Sequence, residues 1–268
     1  MAVIIIIGVV AAITIPSAIK NIEKTHIETR FKIAYSILSR AVDMAEVENG
    51  PSNTWTFHDN SISSDKLSAK MSREVAEKYF IPYLNISYIC DYPDNIKKCF
   101  ADTSWHNSAG FIVGPGNGYD TQRGYSFRLK NGMSICINSI DSYYDQSDPR
   151  YRNAFAKITV DIDGPNKGKS IMGRDVFHFS VPGRTPEGIQ RNIYPGLTNR
   201  AGYFDSDYGY VDNRGVFRNS TCRNQSTNLQ NGAAVCGTHL GCNCAYEIYR
   251  NNFKLPYNLS NIASSYKQ

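Results

Sequence analysis

The densest set of hard oxygen donors in this chain is Asp161-Ile162-Asp163-Gly164-Pro165-Asn166, with Asp175 a short way on. Carboxylates and an amide oxygen from Asp161, Asp163, Asn166 and Asp175 are the ligand type calcium takes. Lys167 and Lys169 follow closely, however, and the spacing is not that of an EF-hand loop. A tight turn between two strands explains the same residues and is the favoured reading, with structural calcium kept as a candidate cofactor. A second ligand set is CGTHLGCNC, Cys236–Cys244, which offers three thiolates and His239 to a metal. Zinc accepts such ligands, but the spacing matches no common zinc module. There is no CxxCH haem-attachment sequence.

Other chemistry is absent from the motifs. No GxSxG elbow, HExxH pair or GxxxxGK[ST] phosphate loop occurs. His26, His58, His106, His178 and His239 stand far apart. Gly114–Asp120, GPGNGYD, leads into Tyr, Asp and Gln rather than a clear helix, so it reads as a surface loop. Asn85, Asn219, Asn224 and Asn258 lie in N-x-[ST] sequons that read as chance. Tyr203, Tyr208, Tyr210, Tyr246, Tyr249 and Tyr257 read as cover for a small core rather than as a binding surface. The net charge of +5 is spread along the chain, so nucleic acid is not an expected partner. The expectation is a protein without enzymatic activity.

The seven cysteines are Cys90, Cys99, Cys136, Cys222, Cys236, Cys242 and Cys244. Short spacings in a chain with an export-type start favour disulfides. Cys90 and Cys99 flank the turn-like DYPDNIKK and suit a small closed loop. Cys222, Cys236, Cys242 and Cys244 lie in Gly/Asn/Ser-rich sequence with little apolar material to hold it, and their pairing is left open. Cys136 sits in the alternating run MSICINSI and reads as a buried thiol, which the odd count supports.

The elements that would position these groups begin with MAVIIIIGVVAAITIPSAI, Met1–Ile19, a run long enough to cross a bilayer as a helix. A cleaved secretory signal needs a basic region first, whereas the first charge, Lys20, follows the run. A buried core helix would need apolar surroundings that the rest of the chain lacks. The expectation is therefore a membrane-inserted helix. Ile27, Phe31, Ala34, Leu38, Ala41 and Ala45 then recur at steps of four and three, one stripe of a continuing helix. Glu48-Asn49-Gly50-Pro51 is a stop signal, and Pro16 predicts a kink or local melting. Residues 1–49 form the helix and residues 50–268 the head.

In the head, Ser61–Phe80 reads as a helix with Ser64 as N-cap. Ile86–Cys90 reads as a short strand. Gly124–Ile140 reads as a hairpin about Asn131-Gly132. Phe155–Asp163 and Asp175–Val181 alternate as strands, and beyond Pro182 the composition obscures any strand. The fold class is α+β: a long N-terminal helix packed on an antiparallel sheet, with disulfide-bonded loops.

The run IIIIGVVAAITIP resembles the N-terminal segment of type IV prepilins and of type II secretion pseudopilins, with Gly8 and Pro16 at the family's glycine and proline. FKIAYSILSRAVDMAEVENGPSNTW, AEKYFIPYLNIS, the pair Cys90/Cys99, VDIDGPNKGKSIMGRDVFHF and CAYEIYRNNFKLPY resemble a large-headed subgroup. The resemblance implies a pilin-like fold. It also implies filament assembly through Ile4, Ile5, Ile6, Ile7, Gly8, Val9, Val10, Ala11, Ala12, Ile13, Ile15 and Pro16. The basic leader, the cleaved and methylated phenylalanine and the following glutamate of such proteins would stand upstream of Met1. Partners implied are further copies of the chain, a prepilin peptidase and inner-membrane assembly machinery. The implied location is the bacterial inner membrane, then a surface filament, or the periplasm for a pseudopilin. Some pseudopilins also hold calcium in a loop of the sheet. An apolar run with small residues at Gly8, Ala11 and Ala12 suits both lipid and a bundle of its own copies.

Overall fold

The computed structural model describes residues 2–55, 65–90, 98–100, 124–140, 155–166, 170–171, 173–181, 193–195, 210–211, 217–218, 244–256 and 259, with side chains along the first helix from residue 14 onward. Helix α1 (Ala2–Asn49) is continuous across Pro16. The expected local melting there does not occur. Forty-eight residues at 1.5 Å each make a rod of about 72 Å. A proline leaves one helical carbonyl without its usual donor. Beside it, Ser17 Oγ donates to the Thr14 carbonyl at 2.8 Å, a side-chain bond added within the same stretch of helix. The stop arrives where the sequence places it: Gly50 adopts φ +79°, the left-handed turn that ends helices. The Trp55 indole then donates to the Gly50 carbonyl at 2.8 Å.

Helix α2 (Asp65–Tyr79) follows. Its expected first turn, Ser61–Ser64, lies outside the described residues. Strands β1 (Ile86–Cys90), β2 (Tyr125–Leu129), β3 (Ser134–Ile140), β4 (Phe155–Asp161), β5 (Val176–Val181) and β6 (Tyr194–Pro195) form one antiparallel sheet in chain order. A separate pair is β7 (Tyr210–Val211) with β8 (Phe217–Arg218), and helix α3 (Cys244–Arg250) closes the described fold. The hairpin turns at Asn131-Gly132 as expected, with Gly132 at φ +88°. β4 ends at Asp161, two residues earlier than the alternation suggests. There the Asp161 carboxylate accepts the backbone N–H of Asp163 (3.0 Å) and Gly164 (2.8 Å), turning the chain away from the ladder.

Register divides the sheet into two chemically different faces, because facing residues on antiparallel strands share a side. The rows Phe127–Ile135–Val160–Phe177 and Tyr125–Ile137–Ile158–Phe179 lie on one face. Against it α1 lays Ile27, Phe31, Ala34, Leu38, Ala41, Val42 and Ala45, all buried, so the expected stripe is the packing stripe. Phe31 is wholly enclosed, its ring 5.0 Å from Phe177 edge-on and 5.6 Å from Phe179 stacked. Val75, Ala76 and Tyr79 of α2 join the same core, where Tyr79 stacks on Trp55 at 4.3 Å. The opposite face carries the rows Ser126–Cys136–Thr159–His178 and Ser134–Asp161–Val176.

If Phe31 is the wedge of this core, Phe31→Ala should lower the unfolding free energy by roughly 3–5 kcal/mol. Ile33→Ala, on the exposed side of the same helix, should change it by less than about 0.5 kcal/mol. Urea unfolding of the two variants in detergent, followed by near-ultraviolet circular dichroism, measures the difference.

Candidate functional site

The half of α1 that carries the packing stripe is held down by polar contacts as well. Glu28 is buried beneath the C-terminal segment, where it accepts the Leu255 backbone N–H at 2.9 Å and the Lys254 ammonium at 3.0 Å. His26 Nε2 meets Asp163 Oδ1 at 2.8 Å. Arg30 donates to the carbonyls of Ile162 and Asn131, and Arg174 pairs with Glu23. These contacts tie α1 to the β4–β5 loop, to the β2–β3 turn and to the segment that follows α3. Sequence patterning gave no sign of them, since each joins residues far apart in the chain.

Toward its N-terminus α1 leaves the head. From Thr14 to Ile22 every residue is exposed, Ile15 (55%), Ile19 (57%) and Ile22 (70%) among them. Ile33, Met44 and Val47 are exposed further along. At 100° per residue these six side chains fall within an arc of about 80°, centred roughly 130° from the packing stripe. The helix thus has a second apolar line running from the projecting part down to its C-terminal end. The sequence signal was there, in the spacing of Ile15, Ile19, Ile22 and Ile33, but the denser packing stripe masked it. Among the described residues no helix is long and apolar enough to cross a membrane. Ile4 to Ile13, which carry most of the expected membrane and filament-core run, have side chains outside the described ones.

The candidate calcium residues serve the turn. Asp161 takes three donors: the N–H of Asp163, the N–H of Gly164 and the Ser170 hydroxyl at 2.8 Å. Asp163 is engaged by His26, and Asp175 Oδ1 accepts the Ile171 N–H at 2.8 Å. Gly164 lies at φ +65°, and a Cβ there would overlap the Gly132 carbonyl, so the loop packs directly on the hairpin turn. The Asn166 side chain lies outside the described residues. Among the described residues there is no group of three or more His, Cys, Asp or Glu able to hold a metal ion.

Of the cysteines, Cys90 and Cys99 form a disulfide and Cys136 is a buried thiol. Cys244 is disulfide-bonded too. Cys222, Cys236 and Cys242, with His239, also lie outside them. His178 is buried on the polar face of the sheet, its Nδ1 3.0 Å from Thr159 Oγ1, and burial holds its pKa well below the usual imidazole value.

Together these features define an α+β head carried on one long helix, with an exposed apolar line continuing beyond the head. Residues 17–194 match the family described as "Family of unknown function (DUF6613)", and the chain belongs to that family. The match starts just after Pro16 and takes in the packed part of α1, α2 and the sheet as far as β6. No curated protein and no solved structure matches the chain.

The loop carboxylates make a pH prediction. Burial raises Asp161 to about 6 despite its three donors. Burial, and then the charge of Asp161, raise Asp175 to about 8. Asp175 keeps part of its surface in water while its carboxyl group is crowded by protein. A raised carboxyl pKa means the folded state holds the proton more tightly than the unfolded one. The stabilisation is complete below about pH 4 and is lost as pH rises through the folded value. His178 acts in the opposite sense, but only below about pH 6.5. Between about pH 6.5 and 8, stability should therefore fall with pH, by at most about 1.4 kcal/mol per unit for one proton. Asp175→Asn should flatten that decline and be more stable than the parent at pH 8, as read from denaturant midpoints across the range.

Proposed function

We propose that this chain is a structural subunit of a type IV pilus-like filament, polymerising through the N-terminal half of α1. The observation that carries this reading is the projecting helix. One rod is packed into the head from Ile27 onward yet presents Ile15, Ile19 and Ile22 to solvent before it, in continuity with the apolar run. Isoleucines that exposed are worth roughly 1–2 kcal/mol each once covered. Lipid covers them before assembly, and helices of neighbouring copies cover them in a filament. Exchange between the two environments is close to neutral in solvation, so packing decides. The meandering antiparallel sheet, laid against the other half of the same helix, leaves the head outside such a bundle. The resemblance of IIIIGVVAAITIP to prepilin segments points the same way.

A pseudopilin in a short periplasmic filament, or a minor tip subunit with an adhesive role, would use the same helix. The deciding experiment is electron microscopy of material sheared from native cells, labelled with antibody to this chain. Fibres labelled along their length support the proposed reading, and labelling at tips alone supports the minor subunit. Loss of secreted proteins on deletion, with surface fibres intact, supports the pseudopilin. A chain found only as a monomer in soluble fractions contradicts all three. Ile22→Glu should abolish fibres while leaving the thermal unfolding of the head within about 2 °C of the parent, as expected for a surface substitution.

A further inference from the structure

The sheet face turned away from α1 gathers three sulfur atoms in one small buried cluster. Cys90, Cys99, Phe100, Cys136 and Val176 pack together there, with Tyr88 at the margin. Cys90 and Cys99 are joined, with Cα atoms 6.1 Å apart, and Cys136 is a wholly buried thiol. Disulfides rearrange by attack of a thiolate on one of their sulfurs. A third cysteine in the cluster supplies the attacking group within the same molecule.

Strand register decides which sulfur Cys136 can reach. Cys90 stands opposite Ser126, and Ser126 opposite Cys136. Two strand spacings of about 4.8 Å therefore separate the Cα atoms of Cys90 and Cys136. That is beyond the roughly 7 Å a disulfide can span without backbone movement. Cys99 is held over β3 itself, because its carbonyl accepts the Ser134 hydroxyl, two residues before Cys136 on the same face. In register, the small Ser126 stands between Cys90 and Cys136, and its buried hydroxyl has no hydrogen-bond partner among the described residues. On the same strand, Asn138 Nδ2 points a donor at the Cys136 sulfur from 3.9 Å.

We propose that Cys136 exchanges with the Cys90–Cys99 disulfide, giving this chain two disulfide isomers at one oxidation level. Cys136 gives up its proton, and its sulfur attacks Cys99 Sγ. The Cys99–Cys136 bond forms as the Cys90–Cys99 bond breaks, and Cys90 leaves as a thiolate that takes up a proton. One disulfide and one thiol stand on each side, so no oxidant or reductant is consumed. The exchange moves the tether of Cys99 from the end of β1 to the middle of β3. It also leaves the reactive thiol on Cys90, the last residue of β1. This inference does not depend on the filament reading.

The test uses the full chain, exported to an oxidising compartment, in parent, Cys90→Ser and Cys99→Ser forms. Thiols are blocked at low pH and disulfides mapped by non-reducing peptide mass spectrometry. Near-ultraviolet circular dichroism checks the fold. In Cys90→Ser, most molecules should carry a Cys99–Cys136 link. In Cys99→Ser, Cys90 and Cys136 should both remain thiols. In the parent, held with a trace of small thiol, the Cys99–Cys136 peptide should appear about tenfold faster per pH unit while the thiol is mainly protonated. A folded Cys90→Ser protein with Cys99 and Cys136 both reduced overturns the proposal, as does a Cys90–Cys136 link forming equally well in Cys99→Ser. If Cys90→Ser does not fold, the parent decides: no Cys99–Cys136 peptide after a day at pH 8.5 overturns it.

Discussion

Everything in this molecule hangs on one helix having to satisfy two surroundings along its length. Its second half is anchored by Phe31, enclosed against the rings of Phe177 and Phe179, which stand two residues apart on one face of β5. Among the described residues, Thr14–Ile22 of its first half are exposed instead, and the helix continues through Pro16 without a break. A helix held at one end and apolar at the other transmits the position of the head to whatever covers the free part. On the proposed reading, that cover is lipid and then copies of the same helix.

Packing alone would let such a rod pivot on the sheet, and the polar contacts oppose this. Glu23, His26, Glu28 and Arg30, spread over two turns, reach Arg174, Asp163, the segment after α3 at Lys254 and Leu255, and the carbonyls of Ile162 and Asn131. Several of these groups are partly buried, where hydrogen bonds to charged partners contribute more than surface ion pairs do. They sit where the helix leaves the head, the point at which a lever arm most needs fixing. The Asp161 turn is part of the same fixture. By taking two backbone N–H groups and Ser170, it shapes the loop that His26 and Arg30 grip. The Asp161 carboxylate thus has a structural use in the turn.

Much of the fold was legible in the sequence because its signals were local and periodic. Ile27 to Ala45 carried the helical period, Asn131-Gly132 marked the hairpin, and the alternation in Phe155–Asp163 and Asp175–Val181 marked strands of one sheet. The first of these strands proves two residues shorter than its alternation, and the second one residue shorter. What stayed hidden was non-local. The short strand β6 pairs through only two residues, Tyr194 and Pro195, and has no pattern of its own. Helix α3 is seven residues long and is held by burial of Ala245 and Ile248 rather than by a long amphipathic period. The second apolar line on α1 was readable in principle, but needed the packing stripe to be placed first. The polar face of the sheet was hidden because its serines, threonine and histidine look solvent-facing in an alternating strand.

The central claim is that the apolar run stays with the working protein as the continuation of α1. Intact mass and N-terminal sequencing of the chain purified from its native cells test this most directly. The account predicts a mature protein that keeps Ile4–Ile13 and begins with an N-methylated residue a little upstream of Met1. A mature chain beginning near Ala18, with the run removed, would contradict it, because the free half of the helix would then be lost before anything could pack on it.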